Sequence, residues 1–496
     1  MNKDKANTSA INRRVFLKRT AFAAGAASVS SSALWPVRTL AGSANERIRV
    51  GVAGLSGFRG LPLVGVFNAQ PDVQVTAVCD PDQQRLAAAG GQGVKRYQDY
   101  RRLVEDPDID VIVLATPNHW HAVGAIMACQ AGKDVYVEKP MSHSIWEGRK
   151  MVEAARQYGR IVQAGTQHRS DPAYHDLRER LARQELGELQ WVHSFWYRHR
   201  EAIGKVSGPQ TVPDHIDYDQ WCGPRPVVPL MRRQFHYDWH FQSAYGNGDI
   251  GNLGAHVIDD VHHGLGMHGD VPTEMVSVGG RFKYDDDADT PNTQLIVLNW
   301  KVPIIISSRN LPHVNPAGQR GGDSVYHRFG RTFRFTNLIK CEGGYFAVSR
   351  GGGAMYDNDG ERIARLPGDG GAAHVPNFIA ACRSRSVEQL AADVEEGHRS
   401  CLLLHTGNIS YRLGRPAPVD IVAQSLGRHE ESREAWDQTV AHLQDNGVDL
   451  EMERPTLGPW LTFDPATEQF TGRHAEAANQ LVRETYRAPF EIPEQV

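Results

Sequence analysis

Cysteine is scarce in this chain of 496 residues: there are six, at 79, 129, 222, 341, 382 and 401, and none forms a CxxC pair. That spacing excludes a zinc-finger pattern and a dense disulfide scaffold. Cys79 and Cys129 fall within apolar runs and read as buried free thiols. A run of 18 apolar residues is also missing, so no membrane span is expected. Nor does one sign of charge dominate, the net being -4, yet residues 1–44 carry seven Lys/Arg against one Asp and leave the remainder at -10. Such a balance argues against nonspecific binding to nucleic acid or an anionic membrane, and for a small uncharged or cationic partner. What is present is the mix of a globular protein, 41% hydrophobic and 23% charged, at a length that suits two domains plus extras.

The first 44 residues read as an address. Asn12-Arg13-Arg14-Val15-Phe16-Leu17-Lys18 precedes a mildly apolar run, residues 21–34, and small residues at 39–44 offer a cleavage site. A basic start, a short apolar stretch and a small-residue exit make a signal peptide rather than a span. The paired arginines match a twin-arginine signal. The expectation is export to the periplasm or beyond by the twin-arginine machinery, which carries folded cargo; a disordered basic tail is the alternative.

A short β-branched run at 47–52 leads into Gly54-Leu55-Ser56-Gly57-Phe58-Arg59-Gly60, a strand–turn–helix unit of the kind that presents backbone N–H groups to a pyrophosphate. The spacing is GxxGxxG, with Ser56 and Arg59 where glycines would be expected, so the turn alone is a weak signal. A second strand, residues 73–79, ends in Asp80, placed to accept hydrogen bonds from a ribose and to repel a 2′-phosphate. NAD is therefore favoured over NADP. A strand at 111–115, the loop Thr116-Pro117-Asn118-His119-Trp120-His121, a helix striped by Val123, Ile126 and Met127 that Gly132 could cap, and a strand at 135–137 before Glu138-Lys139-Pro140 follow. Strands alternating with helices predict a doubly wound parallel sheet whose ligands sit at the strands' carboxyl ends.

Taken in order, Glu138-Lys139-Pro140, the 115–121 loop, Gly165-Thr166-Gln167, Trp239-His240, the run Gly246-Asn247-Gly248-Asp249-Ile250-Gly251-Asn252-Leu253-Gly254-Ala255-His256, Asn377-Phe378 and the helical stretch 393–415 resemble the glucose–fructose oxidoreductase/inositol dehydrogenase (Gfo/Idh/MocA) family. The likeness covers roughly residues 45–415, and the paired arginines and the 246–252 run resemble its secreted subgroup. The resemblance implies an α/β chain: a Rossmann domain (45–168), then an α+β domain (169–425) with a large open, mostly antiparallel sheet. Residues 426–496 would be an extension packed on the core, and the open sheet implies a homo-oligomer. Strands are expected at 276–283, 294–300 and 303–308, with the acidic run 285–289 as a solvated loop rather than a calcium site.

The resemblance further implies an NAD-dependent oxidoreductase acting on a carbohydrate hydroxyl, with Lys139 beside the nicotinamide and His256 facing the substrate. An ammonium can stabilise a developing alkoxide, and a nearby positive ring would lower its pKa. Asn252 lies one helical turn before His256, so the two would share a face; many relatives carry Asp there, and Asp259 or Asp260 could serve as partner instead. Cofactor contacts are expected from Gly54, Ser56, Gly57, Phe58, Arg59, Asp80, Thr116, Asn118, His121, Glu138, Lys139 and Gln167. Substrate contacts are expected from Trp239, His240, Tyr245 and Asp249, with core packing equally open for the aromatics. Two other readings remain: a metal-dependent hydrolase using His119-x-His121, and a noncatalytic sugar-binding protein.

Overall fold

The computed structural model describes residues 47–315 and 317–496; the expected signal peptide lies outside them. The amino-terminal layer is a six-stranded sheet in the order β3-β2-β1-β4-β5-β6, parallel throughout. Its strands are β1 (Ile48–Ala53), β2 (Val73–Cys79), β3 (Lys95–Tyr97), β4 (Val111–Leu114), β5 (Asp134–Val137) and β6 (Val162–Ala164). β4 and β5 are buried at every position, which is why they read as apolar runs rather than alternations. The helices α1 (Gly60–Asn68), α2 (Asn118–Gln130) and α3 (Ile145–Gln157) cover its faces. The expected loop at 118–121 is instead the first turn of α2. Every residue from 118 to 126 is buried, so there is no polar face to mark the helix in the sequence.

The second layer is a twelve-stranded sheet. Its centre runs β13-β7-β10-β9-β8, from β7 (Leu189–Tyr197), β8 (Glu274–Gly280), β9 (Thr293–Asn299), β10 (Pro303–Arg309) and β13 (Phe335–Cys341), antiparallel except where β10 runs parallel to β7. β14 (Gly344–Ser349), β15 (Gly352–Asp357) and β16 (Arg362–Pro367) extend one edge as a meander. A separate hairpin, β11 (Tyr326–Arg328) with β12 (Arg331–Phe333), lies before them.

The carboxyl-terminal segment completes this sheet. β17 (Arg415–Pro416), β18 (Thr456–Leu457), β19 (Leu461–Asp464) and β20 (Gln469–Thr471) build outward from β8. The helix at Glu430–Asp445 packs Trp436 onto Val276, Val278, Val297 and Ile305. One face of β8–β10 is thus covered by the chain's own carboxyl-terminal segment. The tail returns to the first layer, where Phe490 meets the Trp120 ring at 5.0 Å and the Tyr486 hydroxyl donates to Glu147 at 3.0 Å. The run 285–289 is not a bare solvated loop: Asp286 pairs with Arg281, Asp289 accepts from Ser243, and Asp287 accepts from the Val206 N–H.

Candidate active site

The carboxyl ends of the parallel strands open into a crevice of about 780 Å³ that reaches the end of the second sheet. At its nucleotide end the backbone does most of the shaping. Gly54 has φ +84°, and a Cβ there would lie 2.4 Å from the Ala115 carbonyl oxygen. Gly60 opens α1 so close to the turn that a Cβ would lie 1.8 Å from the Gly54 oxygen. Both positions need glycine. At Gly57, by contrast, a Cβ would meet nothing within 4 Å, and the residue stands outside the lining. Ser56 uses its hydroxyl to accept from the Arg59 and Gly60 N–H groups at 3.2 and 3.4 Å, as a cap would.

Asp80 is buried at the tip of β2, where it accepts from the Leu55 N–H at 2.7 Å and the Asp82 N–H at 3.0 Å. Burial raises its pKa, and these hydrogen bonds offset part of the rise. The tight turn at Gly54, the lining residues Ser56, Phe58 and Arg59 and the acid at Asp80 fit a dinucleotide: pyrophosphate over the loop, ribose at the acid. Ser56, Phe58 and Arg59 line this end together with Thr116, Asn118 and His121. The Arg59 Nε donates to Glu138 at 2.6 Å and its Nη2 to Gln167 at 3.4 Å, tying the glycine turn to the far side of the crevice.

Lys139 follows Glu138 into the crevice and donates to the backbone oxygen of Asn252. That acceptor is available for a local reason. The helices α4 (Gly248–Asn252) and α5 (Gly254–Gly264) meet at Leu253, and the His256 N–H bonds to the Leu253 oxygen at 3.2 Å. The tightened turn frees the Asn252 carbonyl for the amine. Burial is the main force drawing the Lys139 pKa down, to about 8, with Glu138 opposing and Arg59 and Arg200 assisting.

The expected pairing of the Asn252 side chain with His256 does not occur. The His256 Nδ1 is buried with no hydrogen-bond partner, and its ring stacks on His168 with centroids 4.9 Å apart. Burial, then the charges on Lys139 and His168, hold His256 well below the ordinary histidine range, so it is neutral. Neither Asp259 nor Asp260 reaches it. Asp259 pairs with Arg169 at 2.8 Å, while Asp260 accepts from His168 at 3.0 Å and from the Tyr174 hydroxyl at 2.8 Å. Burial disfavours a charged His168, but Asp260 outweighs it and raises the pKa.

Trp239 and His240 line the crevice, their rings stacked at 3.7 Å. Tyr245 does not; it packs with Trp221, Cys222 and Trp239 in a buried cluster. Asp249 is also a correction to the substrate set, being 1% exposed and accepting from Trp196 at 2.7 Å, Arg200 at 2.8 Å and Asn310 at 3.0 Å. It holds Arg200 in place. Arg198, Arg200 and Arg350 line the substrate end, and no sequence motif announced them. The histidines of the metal reading are already engaged: His119 faces the Trp221 carbonyl at 3.0 Å, and His121 lies 2.7 and 2.8 Å from the Pro140 and Thr116 carbonyls. No His/Cys/Asp/Glu group that could hold a metal occurs among the described residues.

A parallel sheet in the order 3-2-1-4-5-6, with a glycine turn after its first strand and an acid after its second, defines a Rossmann-type dinucleotide-binding protein with an added α/β domain. The comparisons make this specific. Residues 48–166 match the NAD-binding Rossmann fold of the Gfo/Idh/MocA oxidoreductase family, and 189–306 match its carboxyl-terminal alpha/beta domain. In both of its sheets the chain is thus similar to this family of oxidoreductases, the two matched segments following the family's own order. Among curated relatives, an inositol 2-dehydrogenase of Salmonella typhimurium is 29% identical over 182 residues, 35% of this chain and 54% of that protein. A levoglucosan dehydrogenase of Pseudarthrobacter phenanthrenivorans is 28% identical over 232 residues, 45% and 52% of the two chains. The chain thus spans about half the length of these relatives. Among solved structures, the WlbA dehydrogenase from Bordetella pertussis, in complex with NADH and UDP-GlcNAcA, shares the fold at TM-score 0.55 and 18% identity, over 74% of this chain and 97% of that one.

Proposed function

We propose that the protein oxidises a hydroxyl of a sugar, glycoside or polyol to a ketone by hydride transfer to NAD, with Lys139 as the proton-transferring group. The observation that carries this is the Lys139 amine, held by the Asn252 carbonyl, with a pKa near 8, in one crevice with His256. Bound NAD supplies the hydride acceptor and donor. The neutral amine takes the hydroxyl proton, and the resulting ammonium hydrogen-bonds the carbonyl oxygen that forms. His256, being neutral, can donate one hydrogen bond to a substrate oxygen without a competing charge. The stacked Trp239 and His240 offer a flat face to a sugar ring. The rate of alcohol oxidation should therefore rise with pH and level off above about 8, and ketone reduction should fall across the same interval. A flat kcat/KM profile from pH 6 to 9 would remove Lys139 from this role.

The finer reading is a redox-neutral cycle. Oxidation to a ketone acidifies the neighbouring C–H, permitting either epimerisation by reprotonation on the other face or elimination of a glycosidic leaving group followed by addition of water to the enone, after which the hydride would return to the same carbon. The twin-arginine motif at residues 12–18 supports this reading, because a protein exported folded can carry its cofactor to a compartment without free NAD. The purified protein should hold NAD, seen by absorbance and mass spectrometry, and should retain deuterium at the reacting carbon through turnover. Full-rate turnover by cofactor-free protein without added NAD excludes hydride transfer; stoichiometric accumulation of NADH excludes the cycle alone.

A further inference from the structure

The crevice carries a charge opposite to that of the chain around it. Asp80 and Glu138 are its only acidic lining residues among those described, and Glu138 is bound to Arg59. Against them stand Arg59, Arg85, Lys139, Arg198, Arg200 and Arg350. Most of these cations have partners: Arg59 has Glu138 at 2.6 Å, Arg85 has Asp80 at 3.9 Å, Arg200 has Asp249 at 2.8 Å, and Lys139 has the Asn252 carbonyl. Arg198 and Arg350 are different. Both are exposed, and neither has a carboxylate within 4 Å among the described residues.

Strand register explains why the two come together. Arg198 directly follows β7, and Arg350 sits in the turn between β14 and β15. β13 pairs antiparallel with β7, matching Phe335 to Trp196, and β14 pairs antiparallel with β13, matching Val348 to Asn337. The last residue of β7 and the last residue of β14 therefore reach the same end of the sheet, the end that closes the crevice. Arg350 lines the same crevice as Lys139 and His256. A guanidinium is a planar fork matched to an oxyanion, and two of them without partners in a ligand crevice leave room for one to be supplied by the ligand.

We infer that the substrate is an anionic sugar, its carboxylate or phosphate oxygens gripped by Arg198 and Arg350 while a ring hydroxyl faces Lys139. This rests on the crevice being the site of hydroxyl oxidation proposed above. It also revises the uncharged or cationic partner suggested by overall composition, since a net charge summed over the chain says little about one crevice.

The test uses full-length protein with saturating NADH and three probes matched in ring: methyl glucoside, methyl glucuronoside and glucose 6-phosphate. Calorimetric titration at low and high salt should show at least one anionic probe binding tenfold or more tighter than the neutral one, with the margin shrinking as salt rises. Whichever anion gains identifies the group. Arg198→Gln and Arg350→Gln should each weaken that probe about tenfold, several times more than they weaken the neutral glucoside, and melt like the parent, both side chains being exposed. Equal binding of neutral and anionic probes, binding of no anion, or anion binding indifferent to both substitutions overturns the inference. The two readings fail separately. Arginine-dependent binding without any change in NADH on adding ketosugars would sink the hydride chemistry and keep the anion site; NADH oxidation by neutral ketosugars that anions do not inhibit would do the reverse.

Discussion

The two ends of the crevice are built by different means. The nucleotide end is made from main chain: a turn that only glycine can follow at 54 and 60, a hydroxyl at Ser56 satisfying the first N–H groups of α1, and one acid at the tip of β2. All of it comes from adjacent elements. The substrate end is made from side chains brought together across the chain: Lys139 after β5, His256 on α5, Arg198 after β7 and Arg350 beyond β14. The first arrangement fixes a shape common to any dinucleotide. In the second, the polar groups are side chains from separate elements, and on the function proposed above that is where one substrate would be told from another.

The largest expected effect follows from that contrast. Lys139→Ala removes one amine and leaves the main chain of the nucleotide end untouched, so NAD binding should persist while kcat falls by about 10²–10⁴, the range for losing a general acid–base group. NADH fluorescence titration beside steady-state kinetics reads both. A loss of NAD affinity as large as the loss of rate would mean that the two ends are not separable.

Next in size is the reverse change. Gly60→Ala would drive a methyl group to within 1.8 Å of the Gly54 oxygen, forcing the turn open. Overpacking of this kind costs roughly 1–3 kcal/mol, so the NAD dissociation constant should rise by about 10- to 100-fold, with the melting temperature falling too. Unchanged affinity would refute the claim that backbone shape defines this end.

The same contrast governs what could be read from the sequence. β1, the glycine turn, β2 and Asp80 were legible because they are local, each a short run whose neighbours lie nearby in the chain. Lys139 and His256 were legible by motif. The partner of His256 was not: a spacing of four places Asn252 on its face only if the helix is regular, and the turn at Leu253 diverts the Asn252 carbonyl to Lys139 instead. His168, beneath His256, sits one residue beyond the Gly165-Thr166-Gln167 run, and its pairing with Asp260 spans 92 residues. Arg198 and Arg350 carry no pattern at all, because only the register of β7, β13 and β14 brings them to one edge. Tyr245 and Asp249 looked like pocket groups by residue type, but their neighbours bury them.

The smallest effect sharpens the comparison at the one point where the nucleotide end relies on a side chain. Asp80→Asn removes a charge from the site expected to meet the ribose hydroxyls and leaves Arg85, 3.9 Å away, without its counter-charge. An amide oxygen can still accept from the Leu55 N–H, so the turn should keep its shape, and a lost hydrogen bond to the Asp82 N–H would cost about 0.5–1.5 kcal/mol. The electrostatic change acts on one ligand only. A 2′-phosphate no longer meets a carboxylate and gains a free guanidinium, whereas NAD has no charge at that position. The ratio of NADP to NAD affinity should therefore rise by about tenfold, roughly 1.4 kcal/mol, with NAD binding reduced far less. Should the ratio stay where it was, Asp80 would be a bond to the turn and nothing more, and cofactor choice would have to come from the backbone alone.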